Sequence, residues 1–193
     1  MKRNRLEAFS DGVIAIIITI MVLELKVPHG SNFSNLLEVL PEFLSYILSF
    51  IYVGIYWNNH HHLIHTIEKV KGGILWANLH LLFWLSLLPF ATSWMGEHFN
   101  EQSPVLLNNF VLFMAAIAYY ILQITIVSKN KSESLLLKAI GKDYKGKLSL
   151  ILYIIAIAIT FFNPLIPLLI SIIVAIIWLI LDNRIETIFD NLE

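Results

Sequence analysis

Six apolar blocks, each about long enough to cross a lipid bilayer as a helix, constrain this chain more than any other feature of its sequence. The hydrocarbon core of a bilayer is about 30 Å thick and takes about 20 mostly apolar residues in an α-helix, with a range of about 17–25. Because backbone groups at that depth must be hydrogen-bonded within the protein, such blocks predict helices. The blocks cover residues 6–25, 43–57, 74–95, 105–127, 148–162 and 165–181.

This pattern predicts an all-α integral membrane protein, with six transmembrane helices in a single domain over residues 1–193. Of all residues, 58% are hydrophobic and 14% are charged, whereas soluble domains average about 45–50% and about 25%. A net charge of −1 offers no positive excess for binding nucleic acid, and the absence of cysteine removes disulfides and thiolate zinc ligands. The expected surroundings are a bilayer, with no nucleic-acid partner.

The last two blocks are separated only by Asn163 and Pro164, with Pro167 close behind. Proline fits the first turn of a helix and breaks a helix interior. Two short spans in a tight hairpin are therefore expected, and a single long bent helix is the alternative.

The basic residues predict the orientation of the six spans. All thirteen Lys and Arg residues except Lys26 fall on one side of the membrane when the spans are counted in order. Cytoplasmic loops carry such an excess of Lys and Arg, so both termini are expected in the cytoplasm.

The first block contains a carboxylate, Asp11, and a stripe of branched apolar side chains. With about 100° of rotation per residue, Gly12, Thr19, Ile20 and Leu23 lie within about 60° of Ile16, and Asp11 lies about 140° away from it. An aspartate is costly at membrane depth and faces protein or water. Asp11, together with Ser10, is therefore expected to hold this helix to its neighbours. Periodicity alone favours lipid or protein contact for the apolar stripe.

Four histidines lie at the end of the second block. His61 and His65 are four residues apart, a helical spacing that can hold zinc. A metal site would need a third ligand such as Glu68, which the sequence does not establish. The alternative is that these are interfacial histidines, with His60 or His61 bonded to the first helix; no metal site or cofactor is assigned.

Two further polar features fall in the third block. Asn78 lies within the apolar span, where polar side chains commonly form hydrogen bonds between helices. Pro89 is expected to kink the helix, with Ser86 or nearby backbone relieving the lost hydrogen bond.

The segment Arg5-x-x-x-Phe9-Ser10-Asp11-Gly12 resembles the signature of the transmembrane protein 175 family of potassium channels, in its prokaryotic six-helix form. The resemblance continues through residues 22–28 (VLELKVP), 56–61 (YWNNHH) and 88–92 (LPFAT), with Asn78 between the last two. It covers roughly the first half of the chain, in the right order and spacing. The second half is similar only as hydrophobic spans.

The resemblance implies a homotetramer in a prokaryotic plasma membrane, passing potassium ions through a central pore that the first helix lines. Carried over by position, Ile16 forms the narrowest ring, Ile20 and Leu23 form rings further along, and Thr19 supplies a hydroxyl layer. An apolar constriction of this kind gates by dewetting, and the carbonyl filter sequence of ordinary potassium channels is absent. The remaining implied residues clamp the helices together: Arg5, Phe9, Ser10 and Asp11, with His60, His61 and Asn78 as possible partners.

The leading prediction is a potassium-preferring cation channel and not an enzyme. The alternative is a proton- or metal-coupled secondary transporter, in which Asp11 and the histidines would carry the coupling ions. Discontinuous helices with an ionisable pair at the midplane would favour a transporter, and no span of this sequence has a strong charge pair at its centre.

Overall fold

The computed structural model describes residues 2–67, 69–129 and 143–179, and the regular structure in these ranges is helical. A short 3₁₀ turn at Phe33–Leu37 precedes the second helix. The α-helices are α1 (Arg3–Leu23), α2 (Leu40–His65), α3 (Gly72–Ser86), α4 (Leu88–Glu97), α5 (Gln102–Lys129), α6 (Tyr144–Thr160) and α7 (Leu165–Leu179).

Within the described ranges, four segments are long and apolar enough to cross a membrane: α1, α2, the α3–α4 pair taken together, and α5. The helices α6 and α7 are shorter, with 17 and 15 residues. Each predicted block therefore corresponds to one helix or to one helix pair, which agrees with the expected all-α membrane architecture.

The C-terminal end of α2 differs most from the sequence prediction. The second apolar block ends at Trp57, whereas the helix continues to His65. Asn59 donates a side-chain hydrogen bond to the carbonyl oxygen of Ile55 (2.8 Å), and His60 is fully buried. The helix continues through this polar stretch, in which His60 is buried by the protein, and hydropathy cannot reveal that burial.

The third span is interrupted at Leu87, two residues before Pro89. Pro89 lies in the first turn of α4, where its missing N–H group would have bonded the carbonyl of Leu85 in a continuous helix. The Ser86 hydroxyl donates to the carbonyl of Phe83 (2.8 Å), so it does not replace the lost bond at Leu85. The interruption corresponds to the predicted kink at Pro89. Ser86 was one candidate to relieve the lost hydrogen bond, but its hydroxyl bonds the carbonyl of Phe83 instead.

The helices α6 and α7 form the predicted hairpin. The side-chain oxygen of Asn163 accepts a hydrogen bond from the backbone N–H of Leu165 (2.9 Å) and so begins α7. The backbone N–H of Asn163 donates to the carbonyl of Ile159 (3.0 Å) and closes the last turn of α6. A single long bent helix is therefore excluded.

The core is formed where α3 and α4 pack between α1, α2 and α5. Leu81, Leu85 and Leu88 are fully buried there. At the other side of the bundle, α6 and α7 pack against each other and against α5. The Tyr52 hydroxyl of α2 donates to the carbonyl of Ser171 in α7 (2.5 Å) and ties the two sides together.

Candidate pore face and the polar contacts of the first helix

The first helix has one buried face and one exposed face. Its buried residues, Leu6, Ser10, Ile14, Ile17 and Met21, follow helical spacing and point toward α2, α3 and α4. The predicted pore residues lie on the other face: Ile16 is 59% exposed, Ile20 42% and Leu23 75%, whereas Ile17 is 3% exposed. The stripe that periodicity indicated therefore lies on the face of α1 that the other described residues leave uncovered.

Thr19 adds a polar group to this exposed face. Its hydroxyl donates a hydrogen bond to the carbonyl of Ala15, one turn earlier (2.9 Å). Because the only hydroxyl hydrogen is used within the helix, the free lone pairs of the oxygen remain as acceptors. An oxygen of this kind can contact a cation.

A buried chain of polar side chains joins α1, α2 and α3. The side-chain amide of Asn78 donates to the Ser10 hydroxyl (2.9 Å), and that hydroxyl donates to the carbonyl of Leu6 (3.0 Å). The Asn78 side-chain oxygen lies 2.7 Å from His60 Nε2, so with this amide orientation Nε2 carries the proton and donates. All three side chains are fully buried.

Asp11 is held at a second contact between α1 and α2. The indole N–H of Trp57 donates to Asp11 Oδ1 (3.0 Å). Asp11 therefore points away from the exposed stripe, on the side that helical periodicity predicted. Sequence reasoning did not identify Trp57 as the partner of Asp11.

A third contact between the same helices involves a residue that sequence reasoning also missed, Glu7. Its Oε1 atom lies 3.2 Å from His61 Nδ1 and 3.1 Å from His65 Nε2. One turn earlier, Arg3 donates from its guanidinium to the backbone carbonyl of His65 (2.9 Å). The spacing of Arg3, Glu7 and Ser10 on one helical face was the available signal.

Arg5 and Phe9 are not brought into these contacts. Both are exposed, Phe9 by 51%, and within the described ranges no hydrogen bond or ion pair involves the Arg5 side chain. Arg5 was expected to join the buried network, and the structure leaves it outside. The reason is that Arg5 lies about 140° from Ser10 around the helix. Arg5 and Phe9 continue the exposed face toward the N-terminal end of α1. His61 does contact the first helix, as expected for one of the histidines, and its partner there is Glu7.

Comparison of the sequence with known proteins identifies related proteins. The family described as "Endosomal/lysosomal potassium channel TMEM175" matches residues 5–89, the part of the chain that holds all three interhelix contacts. A protein named as a potassium channel from Chryseobacterium sp. is 58% identical over 186 residues, which cover 96% of this chain and 97% of that protein. A protein from Homo sapiens named as the endosomal/lysosomal proton channel TMEM175 is 30% identical over 133 residues, covering 61% of this chain and 26% of that protein.

A solved structure supports the same relationship. The crystal structure of a lysosomal potassium-selective channel TMEM175 homolog from Chamaesiphon minutus matches with a TM-score of 0.80 and 26% sequence identity. The match covers 91% of this chain and 95% of that one. The 58% identity to the Chryseobacterium protein over nearly the full length, the family match over α1 to α3 and the shared fold lead to one conclusion: the chain belongs to the TMEM175 family.

Proposed function

We propose that this protein is a potassium-preferring cation channel of a prokaryotic plasma membrane, with both termini in the cytoplasm. It assembles as a homotetramer around a pore lined by α1. The observation that carries the proposal is the exposed stripe of Ile16, Thr19, Ile20 and Leu23 on a helix whose opposite face is buried. The names of the relatives support it, since the Chryseobacterium protein is named as a potassium channel and the Chamaesiphon homolog as potassium-selective.

The constriction of such a pore is apolar. A ring of isoleucine side chains offers a cation nothing to replace its water of hydration, so a narrow ring closes the pore by dewetting. Conduction then requires the ring to widen until a mostly hydrated ion passes. Preference for potassium follows because potassium sheds water more readily than sodium, and because the Thr19 oxygen can replace part of that water.

The polar contacts on the other face of α1 have a different role in this proposal. Ser10 and Asp11 fix the rotation of α1 against α2 and α3 through Asn78 and Trp57. Since a rotation of α1 would move the stripe off the pore axis, these contacts set which side chains face the ion. They act on assembly and gating, and ions do not touch them.

Proton permeation is a second candidate, because relatives from vertebrates are named as proton channels. The coupled transporter that the sequence left open would also move protons. An assay in liposomes can distinguish the potassium channel, the proton channel and the coupled transporter. The liposomes are loaded with potassium and a pH-sensitive dye and are diluted into a sodium-free medium with low potassium.

A potassium channel moves charge alone, so the interior should acidify only after a proton ionophore is added. A potassium–proton exchanger acidifies the interior without the ionophore. A proton channel acidifies the interior when valinomycin, added instead of the proton ionophore, sets the membrane potential. Without valinomycin, potassium efflux no greater than that of protein-free liposomes would contradict the proposed function.

A further inference from the structure

Glu7, His61 and His65 form a cluster in which three ligand atoms lie within 4.8 Å of one another. The Glu7 Oε1 atom is 3.2 Å from His61 Nδ1 and 3.1 Å from His65 Nε2. In a tetrahedral zinc site, bonds of about 2.0–2.2 Å place the ligand atoms about 3.3 Å apart. The two distances from Glu7 are therefore close to the spacing that a zinc ion needs, and the two histidine nitrogens lie within 4.8 Å of each other.

The chemistry of the cluster selects the type of metal. Two imidazole nitrogens and one carboxylate oxygen suit Zn²⁺, which takes three such protein ligands and a water molecule in the fourth position. Magnesium and calcium prefer sites made of oxygen atoms alone. The donor set thus favours zinc over the abundant divalent ions of a cell.

The position of the cluster allows an ion to enter. The side chains of His61 and His65 are 40% and 41% exposed, and that of Glu7 is 17% exposed. His65 is the last residue of α2. Arg3 binds the carbonyl of His65 (2.9 Å) and keeps the start of α1 against the end of α2.

We propose that Glu7, His61 and His65 form a Zn²⁺ site that ties the N-terminal end of α1 to the C-terminal end of α2. His61 and His65 are one turn apart on α2, and Glu7 reaches them from α1, so one ion bridges two helices. The third ligand that the histidine spacing lacked in the sequence is supplied by Glu7. Glu68, the residue considered from sequence, lies outside the described residues.

A consequence of the site rests on the proposed function. If α1 lines the pore, an ion that ties α1 to α2 restrains the movement by which the constriction widens. Zinc added on the side of the α1 N-terminus should then reduce potassium flux. Binding itself does not depend on that function and is measured separately.

Isothermal titration of ZnCl₂ into the purified full-length protein in detergent tests the site. The expected result is one zinc ion per chain, with affinity lowered at least about tenfold in Glu7→Gln and in His65→Gln, because each change removes a ligand. His98→Gln is the matched control, since the His98 imidazole lies 3.6 Å from the Glu101 carboxylate without a third ligand. Size-exclusion profiles show whether each variant is folded.

Zinc should also raise the melting temperature of the unmodified protein and of His98→Gln, since a ligand that binds only the folded state stabilises it. The proposal is overturned if the unmodified protein binds no zinc, or if Glu7→Gln and His65→Gln bind it as the control does. In liposomes, zinc that binds without changing potassium flux overturns only the consequence for gating. Absence of potassium flux in the unmodified protein contradicts the proposed function and does not affect the conclusion from the zinc titration.

Discussion

Asn78 of α3 donates a hydrogen bond from its side-chain amide to the hydroxyl of Ser10 on α1, over 2.9 Å and in a fully buried position. The same amide group accepts from His60 of α2, so one side chain joins three helices. In an apolar surrounding a polar group without a partner costs about 1–3 kcal/mol. Asn78 therefore specifies how α1, α2 and α3 fit together.

The first prediction concerns this junction. Asn78→Ala should lower the melting temperature in detergent more than Ser10→Ala, because it leaves His60 Nε2 without its acceptor and removes one of the two hydrogen bonds of the Ser10 hydroxyl. The double variant should lose less free energy of unfolding than the two single variants lose together. The difference, which measures the coupling, should be about 0.5–3 kcal/mol for residues in contact. Thr125→Ala is the control, since that exposed hydroxyl bonds only the carbonyl of Ile121 in its own helix. Additive losses would show that the two residues do not act as a pair.

The second prediction concerns Asp11 and Trp57. Asp11→Ala should reduce the yield of tetramer or alter gating, and should leave the potassium-to-sodium preference close to that of the unmodified protein, because Asp11 faces Trp57 and not the exposed stripe. Trp57→Phe removes the N–H donor and keeps an aromatic ring, so it should give a milder form of the same change. Tetramer yield by size exclusion and reversal potentials in bilayers measure the two effects. A changed reversal potential with normal assembly would place Asp11 near the ions.

A third prediction tests the constriction. Ile16→Asn should increase conductance and weaken the potassium-over-sodium preference, because an amide side chain would wet the proposed apolar constriction. Val22→Asn is the matched control, since Val22 is 46% exposed but lies about 120° from Ile16 around the helix. Currents and reversal potentials measure both. Unchanged values in Ile16→Asn would show that the constriction lies elsewhere.

The fourth prediction concerns the hydroxyl layer. Thr19→Val keeps the shape of the side chain and removes the oxygen, so the preference for potassium should fall while the melting temperature changes little. The lost hydrogen bond to Ala15 is made within one exposed helical turn and contributes little to stability. Thr125→Val, which changes an equivalent helix-bonded threonine on α5, should leave selectivity unaltered. Equal selectivity in all three proteins would exclude Thr19 from the ion path.

The fifth prediction concerns the packing of α4 on α2. A side-chain carbon added at Gly96 would lie 2.8 Å from the Cα atom of Glu42, a backbone atom that cannot move aside cheaply. Gly96→Ala should therefore destabilise the protein by about 1–3 kcal/mol, the usual cost of overpacking. Gly54→Ala, where nothing lies within 4 Å, is the control and should be neutral or slightly stabilising. Equal melting temperatures for the two variants would contradict this close approach.

Several elements of the fold were predictable because they depend on neighbours along the chain. The hairpin at Asn163 and the break before Pro89 follow from the backbone chemistry of proline and asparagine. The separation of Ile16 from Asp11 around α1 follows from helical rotation alone. The end of α2 at His65 was not predictable from hydropathy, because His60 is buried by contacts with α3.

The sequence by itself determined that the chain forms membrane-spanning helices, which residues share a face of α1, and, through its resemblance to relatives, its family. Only the tertiary structure decided the partners: Asn78 for Ser10, Trp57 for Asp11, and Glu7 for the two histidines. Hydropathy and periodicity report how each helix sorts its residues between apolar and polar surroundings. The rotation and axial shift of one helix against another depend on packing between residues tens of positions apart, which no local pattern encodes.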